Sequence, residues 1–371
     1  MKYKAYCCYA RGALHIKKKL PCEDYAVCYD AKGCAIAIVS DGHGHSLAFR
    51  ASDGARMACE GTLDILKQYI ENSEIIRTIE NSKEQFFFNL QGLILRTWLD
   101  RVSLDYTTNP FSDTEINALS EDNKEYLSRN TDSYIKVYGC TLIAAYVTPS
   151  FWFCLQIGDG TCTVSYEDGI SLQPLPEGAG QIANITNSLC QPDAMKKFVH
   201  FFEKKTPLGV FVASDGVDES CKPLATSLQL PNFYREISEP FFHKEQNAGE
   251  RLKSRLERLT EEGCGDDVSV AAAISVETFL AKPKPSPNQL QSLLEKMSIE
   301  VEGKRASIQN NINALRQAEE EYKRGLKEFE DKIERIKRIM GENKKELQKI
   351  LNEKKVIELQ LNVKPRATQK S

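Results

Sequence analysis

Short apolar runs that lead into Asp-Gly recur along most of the chain. Three runs behave in this way and, with the Asp-Gly pairs that follow them, cover residues 34–42, 151–160 and 210–216. A fourth apolar run, 268–274, instead comes after Asp266 and Asp267. Apolar runs of this length between turn-forming residues are typical of buried β-strands. The pattern therefore predicts sheets with carboxylates at the strand ends.

Helical periodicity appears between these strands. Apolar residues recur every three to four positions in Ser46–Ile70 and again in Phe86–Val102, which predicts two amphipathic helices. Residues 103–134 are polar and rich in turn formers, so we expect a mobile surface insertion there.

The pattern changes again after residue 281. Alternating prolines at 283, 285 and 287 predict a stiff linker over residues 282–287. Beyond it, apolar residues follow a strict 4-3 spacing from Ile308 to Leu361, interrupted only by Glu319, Asn343 and Lys354. A period of 3.5 residues is the signature of a coiled coil. We therefore expect a helical coiled-coil tail over residues 288–371, with its last residues disordered.

The spacing of apolar residues in this tail is compatible with several helical arrangements. The residues at the 4-3 positions of 308–361, here called the seam, suit a homodimer or a partner helix. A helix packed back onto the body and a hairpin folding near Gly341 are alternatives. A helix of about 54 residues would extend roughly 80 Å, farther than a globular body reaches, which favours pairing with another helix.

Charge divides the chain in the same place. The 371 residues have a formal net charge of −3, yet residues 283–371 hold 20 Lys and Arg against 14 Asp and Glu, and residues 1–282 hold 29 against 38. An acidic body does not favour a phosphate backbone, so we expect no nucleic-acid partner. Since no run approaches the roughly 20 apolar residues of a bilayer-crossing helix, we also expect no membrane span.

The twelve cysteines are scattered and form no CxxC pair, and the first residues lack the apolar stretch of a signal peptide. Several lie within apolar strand-like runs, as Cys154 does. We therefore expect reduced, mostly buried thiols and a cytoplasmic protein.

The carboxylates at the strand ends suggest chemistry. A single Asp-Gly is most often a turn. Four such carboxylates brought together by neighbouring strands would repel one another unless a cation neutralised them. Oxygen ligands without an accompanying Cys/His set favour Mg2+ or Mn2+ over Zn2+. The glycine after each aspartate lets the backbone approach a cation closely.

Five ordered motifs sharpen this expectation: Ser40-Asp-Gly-His-Gly-His45, Tyr138-Gly-Cys-Thr-Leu142, Ile157-Gly-Asp-Gly160, Ala213-Ser-Asp-Gly216 and Gly265-Asp-Asp-Val-Ser269. In this order they resemble the metal-dependent serine/threonine protein phosphatases (type 2C, or PPM). The resemblance covers roughly residues 5–276. It implies an α+β fold, a four-layer α/β–β/α sandwich with two central sheets, for a phosphatase domain over residues 1–281 that precedes the coiled-coil tail.

The resemblance also implies a site of two or three Mn2+ or Mg2+ ions. Asp41 would bridge two of them, the carbonyl of Gly42 would bind one, and Asp215 and Asp266 would complete a shell. Asp159 would serve a weaker third ion together with Asp215. Either Glu23 or Asp24 would reach the second ion. His43 matches the family's candidate general acid, which protonates the leaving oxygen.

Three departures from the family's pattern stand out. Lys19 occupies the place of an arginine that holds the phosphate, and lysine cannot grip a phosphate with two parallel hydrogen bonds. The usual Gly-Asp-Ser-Arg is Gly158-Asp-Gly-Thr161, and the usual Asp-Asn is Asp266-Asp267. These variants resemble a divergent bacterial-type branch, and every carboxylate is retained.

The function implied is hydrolysis of phosphoserine and phosphothreonine in a phosphoprotein by a metal-activated bridging water. A pseudophosphatase or scaffold acting through the coiled coil is the alternative, and a small phosphomonoester substrate is a weaker third. His15 and His45 are expected to be structural rather than catalytic.

Overall fold

The structure is a computed structural model, which describes residues 2–70, 72, 74–129, 132–167, 171–175, 181–182, 185–221, 229–279 and 287–361. The chain forms two compact units, Met1–Lys284 and Pro285–Ser371, which are described separately.

The first unit is built from short strands and helices. Its strands are β1 (Tyr3–Ala10), β2 (Tyr25–Ala31), β3 (Cys34–Ser40), β4 (Leu142–Val147), β5 (Trp152–Ile157), β6 (Thr161–Ser165), β7 (Ser171–Leu172), β8 (Gln181–Ile182), β9 (Ile185–Thr186), β10 (Val199–Glu203), β11 (Gly209–Ala213) and β12 (Val268–Ser275). Its helices are α1 (Ala13–Lys18), α2 (Ala51–Ile70), α3 (Ile75–Asn81), α4 (Lys83–Thr108), α5 (Asp113–Asn117), α6 (Glu121–Arg129), α7 (Asp215–Cys221), α8 (Gln229–Phe242) and α9 (Ala248–Glu262). Short 3-10 turns cover Ser133–Tyr138 and Ala194–Lys196.

Two antiparallel five-stranded sheets form the centre of this unit. The first sheet has the order β1-β12-β11-β6-β7, the second has the order β10-β5-β4-β3-β2, and β8 pairs with β9 separately. The pairing register is continuous: β1 matches Tyr3 with Ser275 through to Ala10 with Val268.

Alternation of side chains along the strands creates three apolar layers. In β3, Ile36 and Ile38 pack with the cluster that contains Trp98 of α4, whereas Ala35 and Ala37 enter the cluster between the two sheets. On the outer face of the first sheet, β11, β12, α8 and α9 form a third cluster. Small alanines between the sheets let them pack closely. The order helices–sheet–sheet–helices confirms the predicted four-layer sandwich.

The helices differ in detail from those predicted. Helix α2 begins at Ala51 rather than Ser46, because residues 46–50 form turns. Helix α4 extends beyond the predicted 86–102 at both ends. Its buried hydrophobic residues continue only to Val102, and its last turns are exposed and mostly polar, so the periodicity does not reveal them.

The predicted mobile insertion at 103–134, where the structure describes it, is ordered into helical segments instead. It holds the end of α4, all of α5 and α6, and the start of a 3-10 turn. Ser112 caps α5 in a reciprocal capping box with Glu115, in which each side chain accepts from the other's backbone N–H. Polar composition suggests irregular chain, whereas caps and ion pairs make the segment helical.

The second unit contains α10 (Pro287–Leu361), a single continuous helix. The alternative of a hairpin near Gly341 is therefore wrong, since the helix passes through Gly325 and Gly341 without a break. All residues from 301 to 355 are exposed, and they include the seam positions from Ile308 to Lys354. Of the predicted linker 282–287 only Pro287 is described, and residues 362–371 lie outside the described part.

Two further expectations can be compared with the structure. Among the described helices, none combines the length and apolar character required to cross a bilayer. All twelve cysteines lie in the described part of the chain and are free thiols; Cys59, Cys140, Cys154 and Cys162 are buried.

Candidate metal centre

The strand register brings the conspicuous carboxylates to one end of the sandwich. In the second sheet, Tyr25 at the start of β2 pairs with Ser40 at the end of β3, and β5 ends beside the start of β4. In the first sheet, Ala213 at the end of β11 pairs with both Thr161 and Val270. The predicted ligands flank these strand ends, so antiparallel pairing within each sheet and packing of the two sheets together gather them from distant parts of the chain.

A pocket of about 370 Å³ opens at this end. Its walls include most of the predicted site residues: Glu23, Asp41, Gly42, His43, Asp159, Asp215 and Asp266. They also include residues that the sequence did not single out as ligands: Leu14, His15, Lys18, Gly44, Thr141, Thr186, Glu219, Cys264 and Asp267. Asp24 and Lys19 are not on the pocket wall.

Three aspartates form the closest cluster in the pocket. One carboxylate oxygen from each of Asp41, Asp159 and Asp215 lies within 4.8 Å of the others. The side chain of Thr186 donates a hydrogen bond of 2.5 Å to Asp159. Asp266 is not part of this closest group.

The backbone around Asp41 is fixed from two sides. Its N–H donates to the hydroxyl of Thr141 at 3.0 Å, and its carbonyl accepts from the N–H of Thr141 at 2.8 Å. The next residue, Gly42, donates its N–H to the carbonyl of Glu23 at 3.1 Å. A Cβ atom on Gly42 would lie 2.9 Å from that carbonyl. Only glycine therefore allows the Asp41 turn to approach the Glu23 segment so closely.

Glu23 and Asp24 occupy different depths. Glu23 lines the pocket, and burial, aided by Asp267 and Asp266, raises the pKa of its carboxyl to about 8. Asp24 is only 3% exposed, and burial raises its pKa to about 7. Neither of its carboxylate oxygens has a hydrogen-bonding partner of acceptable geometry, although nearby serine hydroxyls favour its ionised form. Asp24 is thus a buried carboxylate that lies behind the pocket wall, next to Asp41, without a well-formed hydrogen bond.

The electrostatics of the cluster point in one direction. Burial, followed by the charges of Asp24 and Asp215, raises the pKa of Asp41 well above its ordinary value. Burial and then Asp159 raise the pKa of Asp215 to about 6. Burial and neighbouring negative charges thus make Asp41 and Asp215 harder to ionise. A hard divalent cation relieves this repulsion and satisfies unpaired oxygens, so the donor set fits Mg2+ or Mn2+.

Asp267 has a different position from Asp266 beside it. It is 3% exposed and accepts hydrogen bonds from the N–H groups of Gly12 at 2.5 Å and Glu23 at 2.6 Å. Nδ1 of His15 lies 2.9 Å from its second oxygen. Asp267 therefore ties α1 and the Glu23 segment to the start of β12. Sequence reasoning missed this junction because the two N–H donors lie 255 and 244 residues away along the chain.

The lysines before this segment are placed differently from the expectation for Lys19. Lys18, the last residue of α1, lines the pocket, whereas Lys19 caps the helix in a left-handed conformation with φ 60°. The structure thus places Lys18 on the pocket wall and Lys19 away from it. The spacing of the motif does not decide which of the three consecutive lysines, Lys17, Lys18 or Lys19, faces the pocket.

His43 lines the same pocket as the aspartate cluster. Its backbone N–H donates to the carbonyl of Gly139 at 3.0 Å, and a Cβ on Gly139 would lie 2.7 Å from the imidazole. Burial, with a smaller contribution from His45, lowers the pKa of His43 to about 4, although Asp159 opposes the shift. The two imidazoles stack with their centres 5.9 Å apart.

Several solved structures resemble this chain at low sequence identity. Solved structures similar to this chain include the serine/threonine phosphatase PstP/Ppp of Mycobacterium tuberculosis (13% identity, 74% of this chain and 99% of that chain, TM-score 0.44). Stp1 of Staphylococcus aureus is another (16% identity, 74% and 96%, TM-score 0.42). PppA of Pseudomonas aeruginosa is a third (12% identity, 74% and 98%, TM-score 0.43).

No curated protein matches the chain. A family model described as Protein phosphatase 2C, however, matches residues 11–259, which hold the strand-end aspartates at 41, 159 and 215. The match spans most of the sandwich, and it is this match, rather than the distant structural likenesses, that decides the classification. The chain is a member of the protein phosphatase 2C family.

Proposed function

We propose that this chain is a metal-dependent phosphatase that hydrolyses phosphoserine and phosphothreonine in proteins. The observation that carries the proposal is the convergence of Asp41, Asp159 and Asp215 within 4.8 Å at one end of the sandwich. The carboxylate of Asp24, which is 3% exposed, lies beside Asp41. Such a concentration of buried carboxylates is costly in a folded protein unless cations bind there.

Two Mn2+ or Mg2+ ions are proposed at this cluster, and a third ion is proposed at Asp159 and Asp215. Asp41, Asp215, Asp266 and the Gly42 carbonyl would hold the pair, with Glu23 or Asp24 on the second side. When bound, the cations supply a water acidic enough to act as a nucleophile near neutral pH and neutralise phosphoryl oxygens.

The remaining pocket residues suit the other needs of the reaction. Lys18 reaches the wall and would attract the phosphate dianion, a role expected of Lys19 from the motif alignment. His43 is proposed to donate the proton to the departing seryl or threonyl oxygen. Because burial lowers its pKa to about 4, the negative charge of a bound phosphate must offset that burial before His43 carries the proton.

The test is hydrolysis by the purified full chain with millimolar Mn2+, on p-nitrophenyl phosphate and on phosphoserine or phosphothreonine peptides. Asp215→Asn should abolish both activities. His43→Gln should slow the peptide far more than p-nitrophenyl phosphate, since p-nitrophenolate leaves without protonation, and His45→Gln should not reproduce this difference. An inert protein that still binds Mn2+ would favour the pseudophosphatase or scaffold alternative.

We further propose that α10 pairs with a second copy of itself through the seam. Described seam residues such as Leu315, Tyr322 and Phe329 are each more than half exposed, at 63%, 71% and 61%. A long row of apolar side chains on an otherwise charged helix is stabilised by burial against a matching helix. This pairing would join two phosphatase domains.

The free thiols of all twelve cysteines support the cytoplasm as the compartment of this protein.

Charge favours an antiparallel pair. In a parallel pair, Glu319 would face Glu319 and Lys354 would face Lys354 within the seam, and Lys332 would lie beside Lys337 of the other helix. In an antiparallel pair centred near Arg338, heptad geometry sets Lys332 opposite Glu346 and Glu330 opposite Lys344. Opposite charges at these flanking positions select orientation.

A further inference from the structure

The pocket contains an imidazole that the family-based ligand set leaves out. His15 lies in the short helix α1 and lines the same wall as Asp266. Its side chain is 13% exposed, so it is largely removed from solvent. Nothing in the sequence alone distinguishes it from a structural histidine.

The neighbours of His15 determine which ring nitrogen carries the proton. Nδ1 lies 2.9 Å from a carboxylate oxygen of Asp267 and 3.1 Å from the carbonyl oxygen of Pro21. Both atoms are acceptors, so the geometry assigns a proton to Nδ1. In the neutral imidazole the lone pair is then on Nε2, which lies 3.8 Å from Oδ1 of Asp266. Two ligand atoms bound to one octahedral cation lie about 3 Å apart when adjacent and about 4 Å apart when opposite. The 3.8 Å separation of Nε2 and Oδ1 falls between these two distances.

Asp267 and His15 are arranged like the carboxylate–histidine pairs that occur beside protein-bound metals. Histidines that bind metals usually donate their other ring N–H to a carboxylate or carbonyl, which fixes the ring and makes the free nitrogen a better ligand. Asp267 is well suited to that supporting position, because it is buried and already accepts two backbone hydrogen bonds.

The backbone holds His15 against Asp266 before any ligand arrives. The N–H of Leu14 donates to the carbonyl of Gly265 at 2.9 Å. The N–H of Ala13 donates to the hydroxyl of Thr260 at 3.1 Å, and that hydroxyl donates to the carbonyl of Asp266 at 2.7 Å. Helix α1 is thus bound to the loop that carries Asp266 rather than to solvent.

We propose that Nε2 of His15 is a direct ligand of the cation held by Asp266, which makes the centre a mixed oxygen and nitrogen site. The inference rests on the proposed metal centre and concerns binding rather than turnover. Imidazole binds first-row transition ions better than Mg2+, which prefers oxygen ligands. The site should therefore select Mn2+ or Fe2+ over Mg2+ more strongly than carboxylates alone would.

Pulsed electron paramagnetic resonance of Mn2+ bound to the full chain tests this directly. The spectrum should show nitrogen hyperfine coupling that changes from the 14N to the 15N pattern when the protein is labelled with 15N-histidine. The coupling should persist in His43→Gln, which removes the other imidazole on the pocket wall, and should disappear in His15→Gln. Competition titrations should show the preference for Mn2+ over Mg2+ falling about tenfold in His15→Gln.

The opposite results would overturn the proposal. Absence of histidine coupling in the wild-type protein with Mn2+ bound, or loss of coupling in His43→Gln instead, would leave His15 as a support for Asp267 alone. If His15→Gln fails to fold, the labelled wild-type protein and His43→Gln still decide the matter. Failure of the proposed phosphatase function appears separately, as Mn2+ binding with histidine coupling but without hydrolysis.

Discussion

Arg50 grips Glu115 with two parallel hydrogen bonds, from Nε at 2.8 Å and from Nη2 at 3.1 Å, across 65 residues of sequence. The same guanidinium donates to the hydroxyl of Tyr138 at 2.9 Å and contacts Asp105 at 3.3 Å. It also lies over the ring of Phe111, 4.8 Å from its centre. One side chain, placed just before α2, therefore organises the segment that follows α4.

This pair predicts a stability change that depends on pH. The hydrogen bonds from Arg50 lower the pKa of Glu115 to about 2. Its stabilising effect is complete above the unfolded-state pKa of about 4.3 and is lost as the pH falls towards 2. Glu115→Gln should lower the free energy of unfolding by about 1–2 kcal/mol at pH 7. The difference from wild type should shrink below pH 4 in urea unfolding.

The matched control is Glu121→Gln, because Glu121 pairs with Lys124 but is 88% exposed. It should change the unfolding free energy by much less at every pH. An equal effect of the two substitutions would show that Arg50 does not anchor the segment.

Because the start of α1 packs closely against the Asp266 loop, the addition of one methyl group at Gly12 should affect both stability and metal binding. Gly12 has φ −61° and ψ 143°, which any residue adopts, but a Cβ there would lie 2.5 Å from the backbone of Asp266. Gly12→Ala should destabilise the protein by about 1–3 kcal/mol through this overlap. It should also weaken Mn2+ binding, measured by calorimetry, because the ligand loop must move.

Gly249→Ala provides the comparison, since nothing lies within 4 Å of the added atom. Its stability should be unchanged or slightly raised, as alanine is a better helix former. Unaltered metal affinity in Gly12→Ala would mean that the loop absorbs the shift elsewhere.

The positions of the two lysines predict unequal effects on substrate binding. Lys18 lines the pocket and Lys19 does not, so Lys18→Met should raise KM for a phosphomonoester several-fold more than Lys19→Met. Steady-state kinetics in Mn2+ separate KM from kcat. The reverse order would restore Lys19 to the role that its place in the motif suggests.

The seam predicts the assembly of the full chain. Ile350→Lys places a charge in the seam and should dissociate the dimer in sedimentation equilibrium, whereas Gln348→Lys adds the same charge on another face and should not. Lys332→Glu should weaken an antiparallel dimer by about two- to fivefold per pair, and adding Glu346→Lys should restore it.

A parallel dimer would respond in the opposite way to the first charge change. The carboxylate introduced by Lys332→Glu would then lie beside Lys337 of the other helix and strengthen association. A monomer at all concentrations would remove the self-pairing proposal altogether.

The sequence predicted the features that depend on local interactions and missed those that depend on contacts between distant residues. The strands that end at Ser40 and Ala213 were predictable because runs of apolar residues reflect local burial. The contact of His15 with Asp267 and that of Arg50 with Glu115 were not, since each joins polar residues that only the completed fold brings together. For the same reason the polar composition after residue 102 predicts mobility, although ion pairs order that segment.

The carboxylates of the site come from both sheets of the sandwich: Asp41 follows a strand of the second sheet, and Asp215 follows a strand of the first. A cation held between them, as proposed, would tie together two layers that otherwise meet through apolar side chains. Its dissociation constant would then include part of the free energy that keeps the layers joined. A chelator would accordingly act as a mild denaturant of this end of the molecule, and metal supply would set the lifetime of the fold as well as its activity.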